Sequence, residues 1–374
     1  MKIAVNTRLL LKDKLEGIGW FSYESLKRIT LQHPEHEFIF IFDRKYDEKF
    51  IFSDNVQPVI IPPQARHPIL YYIWFEFSIP YILKKYKADI FISPDGYTPL
   101  HSKIKSLSVF HDLNFEHYPD DLPKAEKFYY QKFFPKYAKK STRIATVSEF
   151  SKKDICEQYD INPDKIDVVY NGANTQYKPL SEDCISSTKK QYSEGKDYFL
   201  FVGSLHPRKN LTNLFKAFDE FKNNNNTDIK LLLVGASKWW TDDIKSTFDN
   251  MTHKKDVVIC GRLSTEELRK VLGSALALTY VSYFEGFGIP IVEAFYSGVS
   301  VITSNCTSMP EVAGDAALIV DPFKTEEIAD AMRKIAFDTK LREQLIEKGN
   351  ERAKLFSWQK TSEKLWASII KASR

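Results

Sequence analysis

Short, unbroken apolar runs recur along this chain, separated by stretches with helical spacing, and that alternation limits the fold more than any other feature. The runs cover residues 3–9, 38–42, 59–61, 90–93, 108–111, 144–147 and 168–170, then 199–203, 230–235, 257–260, 277–281, 299–304 and 318–320. A strand with one wet face alternates apolar and polar residues, whereas a strand covered on both faces need not. Most of these runs do not alternate. They read as parallel strands packed between helices such as 326–337 and 341–353, an α/β, doubly wound pattern.

The runs fall into two sets. Between them, residues 175–196 are polar, with Pro179, four serines and few apolar positions, and read as an interdomain linker. At ~150 residues per domain, 374 residues suit two domains. The expected division is 1–176 and 177–357, two Rossmann-like domains whose parallel sheets face a central cleft. Ligands of such sheets bind at the C-terminal ends of the strands. The Asn223, Asn224, Asn225, Asn226 run reads as a turn after a helix.

Several functions are excluded or weakened. The balance of 53 Lys and Arg against 49 Asp and Glu is too mild to argue for nucleic acid. Cys156, Cys184, Cys260 and Cys306 stand far apart, without CxxC, which argues against a zinc ribbon, a redox pair or a disulfide framework. The N-terminal apolar run is too short for a signal peptide, and the stretch 69–83 is too short to span a bilayer and contains Glu76 and Pro80. A cytoplasmic chain is expected. No P-loop, full GxGxxG, GxSxG or HExxH is present, and no Asp-x-Asp that would hold a divalent metal.

The most informative local block runs from Tyr283 through Glu285, Gly286, Phe287, Gly288, Ile289 and Pro290 to Glu293 and Ala294, directly after the run 277–281. Glycines permit a tight turn and close approach of a ligand, and Pro290 suits a helix start. The loop would present free N–H groups at a helix N-terminus, an anion site, with Glu293 in the first turn. A plain glycine turn explains the same residues equally well. A second block, Gly203, Ser204, Leu205, His206, Pro207, Arg208, Lys209, Asn210, follows another strand. Adjacent cations at a helix start oppose the helix dipole, so an anionic ligand such as a diphosphate is expected beside them. Gly17 and Gly19 follow the first strand, and His111 with Asp112 ends the fifth.

Taken in order, these blocks resemble the retaining glycosyltransferases of family 4, which have the two-domain GT-B fold. Glu285 and Glu293 are similar to that family's E-x7-E motif, and residues 201–210 to its PRKN segment. Residues 145–151, Asn171 with Gly172, and 303–314 resemble further blocks. The resemblance implies an acceptor-binding domain at 1–176, completed by a crossover helix at 358–374, and a nucleotide-sugar-binding domain at 177–357. It implies that Glu293 bonds the donor ribose and that Glu285 faces the transferred sugar, with His111 near the reacting carbon. Arg208 and Lys209 would neutralise the leaving diphosphate. Gly17, Gly19 and Gly203 would allow backbone approach to it, the amides of Gly286, Phe287, Gly288 and Ile289 would serve sugar or phosphate, and Arg262 with Leu263 would line the base pocket. Where some relatives carry Arg after the glycine of the second-domain loop, this chain has Ser204.

The activity implied is metal-independent, retaining transfer of a hexosyl group, with GDP-mannose leading among donors, to a glycan or lipid-linked acceptor in polysaccharide biosynthesis. No cofactor is expected beyond the nucleotide-sugar substrate. A GT-B epimerase or hydrolase and a non-catalytic nucleotide-sugar-binding protein are the rival readings. The segment 124–140, with six Lys, one Glu and six aromatics, is a candidate for peripheral membrane contact. Its aromatics could instead face the core.

Overall fold

A computed structural model describes residues 1–12, 14–236 and 240–374. It divides into two compact units: Met1–Gly172 with Trp358–Arg374, and Ala173–Ser357.

The first unit holds a parallel sheet of β1 (Lys2–Asn6), β2 (Glu37–Phe42), β3 (Val56–Ile60), β4 (Ile90–Ser93), β5 (Lys105–Phe110), β6 (Arg143–Thr146) and β7 (Ile166–Val168), in the order β3-β2-β1-β4-β5-β6-β7. The second holds β8 (Tyr198–Val202), β9 (Lys230–Val234), β10 (Val257–Gly261), β11 (Ala277–Tyr280), β12 (Ser300–Ser304) and β13 (Leu318–Val320), in the order β10-β9-β8-β11-β12-β13. Register is continuous through the centre, with Ala4 opposite both Ile39 and Phe91, and Leu278 opposite Leu200 and Val301. In each sheet the strand order reverses once, between β1 and β4 and between β8 and β11. Loops at the C-terminal ends of those strands flank a crevice.

The apolar runs form these strands because helices bury both faces. Ala4, Ile39 and Phe91 face one core layer, and Ile3, Val5, Phe38 and Phe40 the other. In the second unit every residue of β8, β9, β11 and β12 is buried. The last helix, Trp358–Ser373, packs with the first unit: Trp358, Leu365 and Ile369 join the layer of Phe21, Leu26 and Ile29. Burying each such side chain contributes roughly 1.5–3 kcal/mol. Thr361 Oγ1 donates to the Tyr170 carbonyl at 2.7 Å, and the Trp366 ring stacks on His33 at 3.8 Å.

Three sequence expectations need correction, and the aromatics of residues 124–140 can be placed. The first strand ends at Asn6 because the chain turns at once, Leu10 N–H donating to the Thr7 carbonyl at 3.0 Å. The seventh is Ile166–Val168, two residues earlier than read; Asp167 pairs there with Arg143 at 2.9 Å. The polar segment 175–196 is no free linker. It contains the helix Glu182–Ser193 and packs within the second unit, where Leu180 lies so close to Gly273 that a Cβ there would fall 2.8 Å from Leu180 Cδ1. Finally, Lys124–Lys140 is one helix through Pro135, and its aromatics mostly face inward: Tyr129, Phe134 and Tyr137 are buried in the core, while Phe128 is exposed.

Candidate functional site

The crevice of the second sheet gathers the charged residues. After β8 the chain passes Gly203, whose N–H donates to the Val234 carbonyl at 2.9 Å. The neighbouring Gly235 is obligatory, because a Cβ there would lie 1.7 Å from the Gly203 oxygen. Pro207–Lys209 forms one 3-10 turn, capped by His206 Nδ1, which accepts from the Arg208 N–H at 3.3 Å. Asn210, in the left-handed region at φ 61°, then starts the helix Leu211–Asn224. Its Nδ2 donates to the carbonyls of Val281 (3.1 Å) and Pro322 (2.7 Å), and Tyr283 N–H donates to the Arg208 carbonyl at 3.0 Å. The loops after β8 and β11 are stitched together.

That stitching brings Arg208, Lys209 and Glu285 onto one another. Arg208 Nη1 lies 2.8 Å from Glu285 Oε2, and Lys209 Nζ bonds Glu285 Oε1. Tyr280, the last residue of β11, completes the group. Its hydroxyl accepts from Lys209 Nζ at 2.6 Å and donates to Glu285 Oε1 at 3.0 Å, and the ammonium sits 4.8 Å from its ring centroid. Lys209, Tyr280 and Glu285 are all buried. Burial works to raise the Glu285 carboxyl, but Arg208 and Lys209 overcome it and hold it down at about 2. It is therefore an anion at every pH of interest. The loop after β12 fixes its backbone: Glu285 N–H donates to Thr307 Oγ1 at 3.2 Å and Ser308 Oγ donates to the Glu285 carbonyl at 2.9 Å. Two cations thus converge on one carboxylate.

Beyond Glu285 the loop turns through Gly288, whose φ of 94° suits glycine, into the helix Ile289–Tyr296. Pro290 is the second helical residue rather than the first, and Glu293 is the fifth, one position later than expected and just past the first turn. Phe287 is buried edge-on against Phe356 at 5.5 Å. Burial pushes the Glu293 carboxyl up to about 7, against a bond from the Tyr177 hydroxyl that lowers it. Arg262, exposed, and Leu263, half-buried, follow β10, which is two strands from β8.

The remaining expected residues belong to the first unit. Gly17 and Gly19 are not in a loop: the helix Gly17–Gln32 begins at Gly17. Gly19 is buried, and a Cβ on it would come 3.1 Å from the Leu9 carbonyl oxygen, so a side chain there would have to push its neighbours aside by a few tenths of an ångström. His111 lies one residue beyond β5. Its Nε2 lies 2.8 Å from the Pro94 carbonyl, which only a protonated nitrogen can satisfy, and its ring meets Phe21 of that helix at 5.0 Å. Burial lowers its pKa, keeping the imidazole neutral with Nδ1 as acceptor.

Sequence reasoning missed Tyr280, Thr307 and Tyr177. It also missed the crevice of the first sheet, where Arg8 Nε donates to Asp95 Oδ2 at 2.7 Å and Asp95 Oδ1 accepts from Asn6 Nδ2 (2.7 Å) and Ser93 Oγ (2.8 Å). The Arg8 guanidinium lies 4.8 Å from the Tyr97 ring centroid and 5.1 Å from that of Tyr71.

Arg208 and Lys209 gathered on Glu285 at the C-terminal ends of parallel strands, beside glycine turns, form the candidate site. Comparison with known proteins makes the class specific. Residues 185–352 match the family model "Glycosyl transferases group 1", and residues 30–177 match "Glycosyltransferase Family 4". The chain belongs to the glycosyltransferases of family 4 type, with the GT-B fold. It is 28% identical to O-antigen chain mannosyltransferase B of Escherichia coli over 96% of this chain and 97% of that one. It is 26% identical to O-antigen chain mannosyltransferase RfbU of Salmonella typhimurium over 78% of each. Among solved structures it resembles a Rickettsia africae glycosyltransferase (TM-score 0.75, 20% identity, 99% and 98% covered) and Anabaena HepE in complex with UDP-glucose (0.78, 14%, 99% and 100%).

Proposed function

We propose that the chain transfers a mannosyl group, with retention and without a metal ion, from GDP-mannose to a glycan or lipid-linked acceptor in polysaccharide assembly. The observation that carries this reading is the cluster of Arg208 and Lys209 on Glu285 at the second crevice. Breaking the sugar–phosphate bond leaves negative charge on the diphosphate and oxocarbenium character on the sugar. Two cations held in place by Tyr280, Glu285 and the stitched loops stabilise the first charge without reorganising. Glu285 offers ~four lone-pair directions, three of them occupied by Lys209, Tyr280 and Arg208. Its main work is to hold the cations, and the remaining direction can face sugar hydroxyls or developing positive charge. Glu293 takes the ribose diol, Gly203 and the amides of Gly286, Phe287, Gly288 and Ile289 take sugar and phosphate oxygens, and Arg262 with Leu263 the base. Within the first unit, Gly17 and Gly19 stand for backbone approach by a phosphate, and neutral His111 offers Nδ1 as an acceptor. The choice of mannose is supported by the names of the E. coli and Salmonella relatives.

Among the described residues no helix is long and apolar enough to cross a membrane. A lipid-linked acceptor would bring the chain to the cytoplasmic face of a membrane, and peripheral contact there is part of the same proposal. The test is a donor panel with proton NMR of the first-formed product, run with and without chelator. GDP-mannose giving an α-linked product in chelator is expected. An inverted product, free mannose without transfer, or activity that needs Mg²⁺ or Mn²⁺ restored overturns the reading.

A further inference from the structure

Two loops hold Glu285 in place, and both lead to the same two side chains. The loop after β11 brings Phe287, two residues beyond Glu285, edge-on against Phe356, with ring centroids 5.5 Å apart and planes at 80°. Both rings are buried. The loop after β12, which holds the Glu285 backbone through Thr307 and Ser308, runs into the short helix Met309–Ala313. Arg352 satisfies two of the last carbonyls of that helix: Nη2 donates to the Glu311 carbonyl, and Nε donates to the Val312 carbonyl at 3.1 Å. The same guanidinium lies 5.6 Å from the Phe356 ring centroid.

Neither side chain comes from a loop of the site. Arg352 is in the last turn of the helix Thr339–Ala353, and Phe356 lies three residues past its end, its N–H donating to the Ala353 carbonyl at 3.0 Å. That segment is also fastened to the helix Ile289–Tyr296, into which the loop after β11 runs. The Tyr296 hydroxyl donates to the Phe356 carbonyl at 2.9 Å. Gly349 packs so closely on Phe295 that a Cβ there would fall 2.7 Å from Phe295 Cδ1. Burial of Phe356 alone would be ordinary core packing. What sets it apart is convergence: the ring beyond Glu285 and the helix behind its backbone partners answer to one clamp.

We propose that Phe356, supported by Arg352, is a positioning residue for the transfer step: it fixes Phe287 and thereby aims the amides of Gly286, Phe287 and Gly288 at the donor. This rests on the role proposed above for those amides. Phe287 stands between two glycines, the residues that resist backbone rotation least, so its ring is the handle by which the loop can be held. Preorganised donors contribute because they do not move during reaction, and a misplacement of about 1 Å can cost ~10²-fold in rate. Nucleotide affinity, which the same reading gives to Glu293, Arg208 and Lys209, depends on the clamp much less.

The test combines hydrogen exchange, GDP calorimetry and steady-state kinetics on the full chain. Phe356→Leu keeps apolar bulk and removes the ring edge. Exchange over residues 283–289, where the Tyr283 and Glu285 N–H groups are bonded, should quicken about tenfold or more while exchange in the first unit is unchanged. kcat should fall about tenfold or more, with GDP affinity altered less than about threefold. Phe287→Leu combined with Phe356→Leu should lose no more than the worse single variant, because one acts through the other. Arg352→Gln, at a half-buried side chain, should show a smaller loss of the same kind, and it carries the test where Phe356→Leu does not fold. Unchanged exchange and kcat overturn the proposal. So do kcat and GDP affinity falling together, or additive losses in the double variant, since either makes Phe356 packing alone. Exchange is read without donor or acceptor, so it decides the positioning even where transfer from GDP-mannose is not found.

Discussion

The two crevices are built alike and charged differently. In the first unit Arg8 meets one carboxylate, Asp95, which is itself satisfied by Asn6 and Ser93, and the guanidinium lies against the rings of Tyr97 and Tyr71. Charge there is closed one to one. In the second unit Arg208 and Lys209 share Glu285, and a tyrosine hydroxyl, itself neutral, holds the ammonium. Two cations converge there on one carboxylate. A closed pair fixes a fold, whereas cations held in fixed positions at a crevice suit an anion. On the proposed reading, the same topological position serves structure in one unit and chemistry in the other.

This contrast can be broken at either end. The largest effect belongs to the closed pair. Arg8→Met strands a buried Asp95, and loss of one partner of a buried ion pair costs about 3–5 kcal/mol. Urea unfolding should show it, and a variant as stable as the parent would mean that Asp95 is not held as a buried anion. Lys209→Ala should behave oppositely: Arg208 still pairs with Glu285, so the fold changes less, while kcat/KM falls ~10²-fold or more, the scale of removing one preorganised charge-stabilising donor. Arg208→Ala should be comparable. Near-native turnover in both removes the leaving-group role.

Smaller is the effect of Tyr280→Phe, which keeps the ring and deletes the hydroxyl. We expect about a tenfold loss in kcat/KM, in line with one lost hydrogen bond to a charged group of ~1.5–3 kcal/mol. In a Lys209→Ala background the same change should do almost nothing, because the hydroxyl acts through the ammonium. Equal losses in both backgrounds would make Tyr280 merely structural. Smallest is a pH effect at Glu293. With a carboxyl at about 7, the anion that accepts ribose hydroxyls is lost as pH falls, so donor KM should rise a few-fold from pH 8 to pH 6. Stability runs the other way. A raised carboxyl stabilises the fold fully below its ordinary value of 4.5, and that contribution is lost as pH rises through 7. Glu285, at about 2, adds no slope in this range. Glu293→Gln should flatten the KM profile, and a profile unchanged by it contradicts the ribose role.

Both sheets were legible because a strand buried on both faces leaves an unbroken apolar run, and the central strands are of that kind. The edge strand β7 slipped by two residues because Ile166, Asp167 and Val168 alternate instead. Glu285, Arg208 and Lys209 were legible because glycine and proline chemistry is local and marks its own loops. The bonds among them were not, because strand order alone brings β8 beside β11. Tyr280 looked like one more apolar strand residue, and Tyr177 lay in a segment whose polar composition hid its packing. Gly19 carries two readings: its spacing suggests approach by a phosphate, and its tight packing, with a built Cβ 3.1 Å from the Leu9 carbonyl oxygen, favours glycine as well.

The central claim, that the cluster of Arg208, Lys209 and Glu285 is a diphosphate site, is tested most directly by calorimetry of GDP and GMP on the parent and on Lys209→Ala. The account predicts that the parent binds GDP more tightly than GMP, and that Lys209→Ala weakens GDP about tenfold or more, the scale of a charge-assisted hydrogen bond, while GMP is nearly unaffected. Equal affinities of the parent for the two nucleotides, or GDP binding indifferent to Lys209→Ala, would contradict it.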